Sequence, residues 1–473
     1  MARDVRNRPS RAAWLGLTLS ALFVAGGSGG CGGGKAAFPT PLNMAGQAGV
    51  DVYAALPPDL QTPDIPVLFW TDRALEREGR EITFGTARGE GAVFGTARIG
   101  LGREMAWEQV VRTSVTPQRD LPSDPEIERI DVAGRITPLK QRLRVVDDRI
   151  FYPPESTDRL EADLAKFDAS LEPWLAEGDG NTAVIFVHGF HVTFDNALKW
   201  LAMAWHAAGR QGVPILFSWP AGFGGFKPLA YNHDRESGEL SVGHLRLLIY
   251  ALARNPRIER INIVAHSRGT DVLTTALREI RSELSGMRGM SLFDQLYAEA
   301  ATTLPANVLS DGAAAIRPAL QAKADVYRAL KLDTIVLASA DIDLEVFSER
   351  FIVEQGVDVA NRFIIYSSPD DGALLISRLY FRDRKRLGQT TMGDFDPKVR
   401  ELIGALPGVE HVEVRIPYHD THAYLFHHPA GLADLIAAVR DDGPAGASHG
   451  RPLKRVGDGF WRLDETYLAP APD

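Results

Sequence analysis

Between Thr182 and Arg440, short and nearly unbroken apolar runs alternate with longer stretches in which apolar residues recur every three or four positions. The short runs are AVIFV from Ala183, PILFSW from Pro214, INIVA from Ile261, TIVLAS from Thr334, RFIIYS from Arg362 and VEVRI from Val412. A strand with one wet face alternates apolar and polar residues, whereas a strand covered on both faces reads as continuously hydrophobic. The cadence therefore predicts an α/β fold, a mostly parallel doubly wound sheet with helices on both faces. Val272, Leu273, Ala276, Leu277 and Ile280 follow the INIVA run at helical spacing, so that helix packs back on its own strand.

The flanks read differently. Within residues 65–180, the runs VLFW, EITFGTAR and AVFGTARIG stand between turn residues and predict a β-rich extension along one sheet edge. The segment FGTAR occurs at Phe84 and Phe94 and nowhere further on, so it is a hairpin feature and not a repeat architecture. Residues 284–330 separate two core strands by far more than a usual connection, and are either a lid or a pair of surface helices with no gating role. Residues 441–473 begin DDGPAGASHGRP and read as a loose tail with a short apolar end at Phe460 and Trp461.

In open sheets of this kind ligands sit beyond the carboxyl ends of the strands, which makes the residues after each run the ones to inspect. Ser267 lies at the junction of strand and helix in INIVAHSRGTD, with Ala265 two before it and Gly269 two after, close to a G-x-S-x-G elbow. Small residues there let the chain reverse and project a hydroxyl. A serine hydroxyl is a weak nucleophile at neutral pH, so an imidazole must take its proton, and a carboxylate must fix that imidazole's tautomer. His422, just before a final apolar run and helix, is the preferred base over His419. Asp371 is the first choice of acid, Asp370 the second, and Asp341 or Asp343 the alternative one strand earlier. The amides of Phe190, in His188-Gly189-Phe190-His191, and of Arg268 are candidate donors for an oxyanion hole. Trp219, Phe223, Phe226 and Tyr231 could wall an apolar acyl pocket. His188, His191 and Asp195 lack a further ligand of suitable spacing, so neither a metal nor a cofactor is expected.

From Ala183 to about Arg440 the chain resembles the α/β-hydrolase superfamily, and more narrowly DUF900, a bacterial family of α/β hydrolases of unknown function. The resemblance rests on VIFVHGF, ILFSWPAG, YNHDRES, IVAHSRGTDVL, LASADIDLEVF, IIYSSPDDGALLIS and HAYLF, with VLFWTDRA from Val67 similar to the family's opening strand. It implies an esterase-like or lipase-like hydrolase with a Ser-His-Asp triad acting on a small-molecule or lipid ester. The alternatives are a catalytically silent binding or scaffold protein of the same fold, or an acyltransferase or thioesterase. Arg268 stands where a medium-sized apolar residue is commoner, and its side chain is expected to fold outward to solvent.

Composition adds a location. Arg3, Arg6, Arg8 and Arg11 precede a short apolar core, Ala12 to Ala25, and a glycine-rich stretch leads into Cys31, the chain's one cysteine. This reads as a signal peptide ending in a lipoprotein-type lipidation site at Cys31, with residues 32–64 as a tether. A bacterial envelope protein anchored on the periplasmic side, in the outer membrane, is expected, with secretion as the alternative. A lone cysteine leaves no intrachain disulfide. A net charge of −9 without a long basic run argues against nucleic acid as a partner.

Overall fold

The computed structural model describes residues 40–41, 52–54, 56–78, 81–101, 105–116, 125–175, 181–224, 227–285, 329–382, 384–418, 421–446 and 450–468. Cys31, the signal peptide, most of the tether, residues 286–328 of the long insertion, Phe226 and His419 lie outside the described residues.

In chain order the strands are β1 (Asp64–Glu78), β2 (Glu81–Gly100), β3 (Glu126–Arg135), the short pair β4 (Arg144–Val146) and β5 (Arg149–Phe151), β6 (Thr182–Val187), β7 (Val213–Ser218), β8 (Arg260–His266), β9 (Leu332–Ala338), β10 (Arg362–Ser367), β11 (Val409–Arg415), β12 (Lys454–Gly457) and β13 (Phe460–Asp464). The main helices are α1 (Trp107–Ser114), α2 (Pro154–Leu171), α3 (Phe194–Ala207), α4 (Lys227–Arg254), α5 (Gly269–Ser285), α6 (Gly372–Tyr380), α7 (Pro397–Ala405) and α8 (Pro429–Val439). Among the described residues, eleven strands form one sheet in the order β12-β13-β11-β10-β9-β8-β6-β7-β1-β2-β3. From β13 through β1 every neighbouring pair is parallel. Only the edges, β1-β2-β3 and β12-β13, are antiparallel.

The unbroken hydrophobicity of the central runs follows from this layering. Along β6, Ile185 and Val187 enter a core on one face with Leu248 of α4 and Leu273 of α5, while Phe186 between them enters the opposite core with Leu198 of α3 and Leu432 of α8. With both faces covered, a polar side chain on these strands must find a buried partner, as Asn262 of β8 does with the Val439 carbonyl and the Thr334 amide. All residues of β7 and β9 are buried, whereas no position of edge strand β3 is.

Both copies of FGTAR lie on β2, where Phe84 pairs with Leu75 and Phe94 with Trp70. The register shifts on either side of Arg73 send them to opposite faces, Phe84 against Phe194 and Phe94 against Phe167. The reading of 441–473 as a loose tail needs correction. β13 extends the sheet beside β11, and Arg451, fully buried, donates to Asp434 at 3.0 Å and to Glu410 at 2.6 Å. The run FWRLD is too short and too mixed to announce a strand, and its parallel partner supplies what local pattern lacks.

Candidate active site

Ser267 sits at the carboxyl end of β8 with φ of 53°, a left-handed conformation that a side-chain-bearing residue adopts only when its surroundings impose it. Here they do. Its amide donates to the Ala338 carbonyl at 2.9 Å, and its own carbonyl accepts from the Asp341 amide at 3.2 Å and the Thr270 hydroxyl at 2.7 Å. Two glycines allow the close approach. A Cβ on Gly269 would lie 2.4 Å from the His188 carbonyl oxygen, and one on Gly189 would lie 2.7 Å from the Ser267 Cβ. The loop after β6 is thereby brought directly alongside the serine.

His422 arrives from the segment between β11 and α8, and its carbonyl accepts from the Ser339 hydroxyl at 2.8 Å, with His266 Nε2 3.2 Å away. Its Nε2 is 2.9 Å from Ser267 Oγ and its Nδ1 is 2.8 Å from Asp371 Oδ2. The other oxygen of Asp371 accepts the Leu374 amide at 3.0 Å as the N-cap of α6, and its carbonyl accepts from Gln389 Nε2 at 2.8 Å. The carboxyl is thus held at both oxygens and has no freedom to turn away from the ring. Burial raises the Asp371 carboxyl above the usual carboxylate range, and His422 pulls it back down.

The other acids are accounted for elsewhere. Asp370 is exposed and 3.9 Å from Arg415. Asp343 caps the short helix Leu344–Ser348 by accepting the Glu345 and Val346 amides. Asp341 is buried but accepts from the Tyr231 hydroxyl at 3.1 Å and the Ser377 hydroxyl at 2.7 Å, with Arg386 3.4 Å away.

Among the described residues, neither the Phe190 amide nor the Arg268 amide donates to a protein acceptor. The expectation that Arg268 turns outward is overturned. Its guanidinium is buried, pairs with Asp271 at 2.6 Å, and donates to the Tyr231 hydroxyl and the Asp341 carbonyl. Asp271 is also bound by Arg350 at 2.5 Å, so its one negative charge is shared between two guanidiniums.

His188 is buried and stacked on Trp219 at 5.3 Å, and burial together with the Arg73 guanidinium holds it well below the usual imidazole range, hence neutral. Trp219 is fully buried and belongs to the core, not to an open pocket wall. Phe223 is half-exposed on His233, while Tyr231 packs against Phe190, Tyr380 and Phe381, forming an aromatic surround with the Tyr231 ring 5.5 Å from the Arg268 guanidinium. Among the described residues, no group of three or more His, Cys, Asp or Glu side chains could hold a metal ion. An apolar cleft of about 170 Å³ between α3 and α8 lies at the amino ends of β6 and β8, and its lining holds no acid, imidazole or serine.

Two residues at the site had no role assigned from sequence. Arg73 of β1 and Asp234 of α4 are both buried and hydrogen-bonded to the loops that follow β6 and β7. Both lie in segments marked by resemblance, TDR and NHDRES, but their partners are backbone groups that no local spacing reveals.

The sheet order, the strained turn at Ser267 and the helices on both faces define an α/β-hydrolase fold. Residues 165–416 match the model of a family described as an alpha/beta hydrolase of unknown function, DUF900, and the chain belongs to it. The matched region includes Ser267 and Asp371 and ends just before His422. No curated protein and no solved structure matches the chain.

Proposed function

We propose that the protein is a serine hydrolase of carboxylic esters, with Ser267 as nucleophile, His422 as general base and acid, and Asp371 as the group that orients the imidazole. The observation that carries this reading is the continuous chain from Ser267 Oγ to His422 Nε2 at 2.9 Å and from Nδ1 to Asp371 at 2.8 Å. With the carboxylate holding the Nδ1 proton, Nε2 is left to accept the serine proton as Oγ attacks the ester carbonyl carbon. The carbonyl oxygen becomes an oxyanion, and the amides of Phe190 and Arg268 are the donors for it. Collapse breaks the bond to the alkoxy oxygen, which leaves as the alcohol with the proton from His422. Water then attacks the acyl-serine with His422 again as base, and the carboxylic acid departs.

The aromatic surround of Phe190, Tyr231, Tyr380 and Phe381 favours an uncharged, apolar acyl group. Replacing Ser267→Ala is expected to lower turnover of p-nitrophenyl butyrate by about three powers of ten or more. Unchanged turnover in a folded variant would refute the reading. From the first residues alone we also propose a lipid anchor on Cys31 at the cell envelope. Labelled palmitate should enter the wild-type chain and not Cys31→Ser, and equal labelling of both would remove the anchor.

A further inference from the structure

Two buried side chains of opposite charge grip the same two loops. The loop after β6, from His188 to Thr193, carries Phe190; the loop after β7 runs from Trp219 to Gly222. Asp234 of α4, fully buried, accepts through Oδ2 the amide of His191 at 3.1 Å and that of Gly222 at 3.0 Å. Arg73 of β1, also buried, donates from Nη2 to the Val192 carbonyl and from Nη1 to the Ala221 carbonyl, each at 2.8 Å. In each loop two successive residues are bound, one by its N–H to the carboxylate and one by its C=O to the guanidinium.

The loops also touch, since a Cβ on Gly222 would lie 3.3 Å from the Val192 carbonyl oxygen. The first is strained at His191, with φ of 59°, while the second turns at Gly222, whose φ of 93° a glycine adopts freely. A strained backbone persists only where its surroundings over-determine it, and these four hydrogen bonds do so. Arg73 is itself fixed by Nε to the Ser218 hydroxyl at 2.8 Å and by Nη1 to the Gly85 carbonyl at 2.9 Å.

We infer that Asp234 and Arg73 form a clamp that sets the Phe190 amide beside Ser267, which makes them positioning residues for the oxyanion. The inference rests on the reading of Ser267 as nucleophile. An oxyanion donor acts on the transition state and not on the bound ester, so its displacement lowers kcat and leaves KM in place. A misplacement of about 1 Å costs up to about a hundredfold.

The test uses the full chain and p-nitrophenyl butyrate, with butylboronic acid as inhibitor. On inhibition Ser267 Oγ adds to the trigonal boron, its proton passes to His422, and boron becomes a tetrahedral anion that keeps both hydroxyls. Asp234→Ala is expected to lower kcat at least about tenfold with KM within about twofold, and to weaken butylboronic acid by a similar factor. Asp234→Asn keeps an acceptor oxygen and should recover most of the loss. Arg73→Lys keeps the charge but not the fork that spans two carbonyls, and should lose as much as Asp234→Ala.

Wild-type kcat in folded Asp234→Ala, or lower active-enzyme content with unchanged inhibition by butylboronic acid, would overturn the clamp. If Arg73→Lys fails to fold, the two Asp234 variants decide. Absence of Ser267-dependent turnover in the wild type overturns the hydrolase reading and the clamp with it. Ser267-dependent turnover that Asp234→Ala leaves intact overturns the clamp alone.

Discussion

The sheet is extended at both edges by segments outside its central parallel strands, and the two additions end in different places. At the amino-terminal edge, β1 joins β7 in parallel and sends Arg73 to the loops beside Ser267. At the carboxyl-terminal edge, β13 joins β11 in parallel, while Arg451, just before β12, enters a network with Asp434, Glu410 and Tyr366 beneath α8. Both arginines are buried and both satisfy many acceptors. One binds backbone carbonyls in the loops beside Ser267; the other pairs with two carboxylates beneath α8. A buried cation is therefore no marker of a site by itself, and what it touches decides its role.

The sharpest contrast is between losing chemistry and losing stability. Asp371→Asn should lower kcat by about four powers of ten, because the amide favours the wrong imidazole tautomer, with little change in thermal midpoint. Arg451→Met should do the reverse. It leaves Asp434 buried without its cation and Glu410 with Arg362 alone, at about 3–5 kcal/mol in urea unfolding, while kcat of the folded protein stays at the wild-type value. A kcat deficit in folded Arg451→Met would break the distinction between the two edges.

The same contrast extends to pH. His411, packed against Phe460 of β13, lies between the Ser367 and Thr390 hydroxyls, and burial lowers it from 6.5 to about 3. His188, beside Arg73, is lowered as well. Between about pH 6.5 and 3 the unfolded chain takes up a proton at His411 that the folded chain refuses, so this residue's contribution falls as pH drops. The slope is up to about 1.4 kcal/mol per pH unit. The carboxyls of Asp72 and Asp371, raised by burial, act in the opposite sense, so the measurement is a difference. Unfolding of His411→Asn from pH 7 to 4.5 should be less pH-dependent than that of the wild type, and parallel profiles would contradict this. The smallest effect is expected for Asp343→Ala, which removes a helix cap worth about 1 kcal/mol and leaves kcat unchanged. A loss of activity there would return Asp343 to the site.

The central strands were legible because burial on both faces makes most of their positions apolar, and the turn at Ser267 was legible because its geometry demands small neighbours. The choice among Asp341, Asp343, Asp370 and Asp371 was not. Each follows a strand, and only exposure and partners separate them, which are properties of the folded chain. Arg268 was misjudged although the clue was present, since Asp271 stands three residues on, the spacing at which helical side chains meet. The parallel pairing of β13 with β11 could not be read, because a five-residue strand carries too little pattern. Arg73 and Asp234 escaped for a further reason: a side chain that binds backbone imposes no residue type on its partner.

The direct measurement is mass-spectrometric mapping of the adduct formed by a fluorophosphonate probe on the native protein. One phosphonylated residue, Ser267, is expected, with the adduct lost on heat denaturation before labelling and strongly reduced in His422→Ala. A native, folded protein that stays unlabelled, or that is labelled elsewhere while Ser267 remains unmodified, would contradict it.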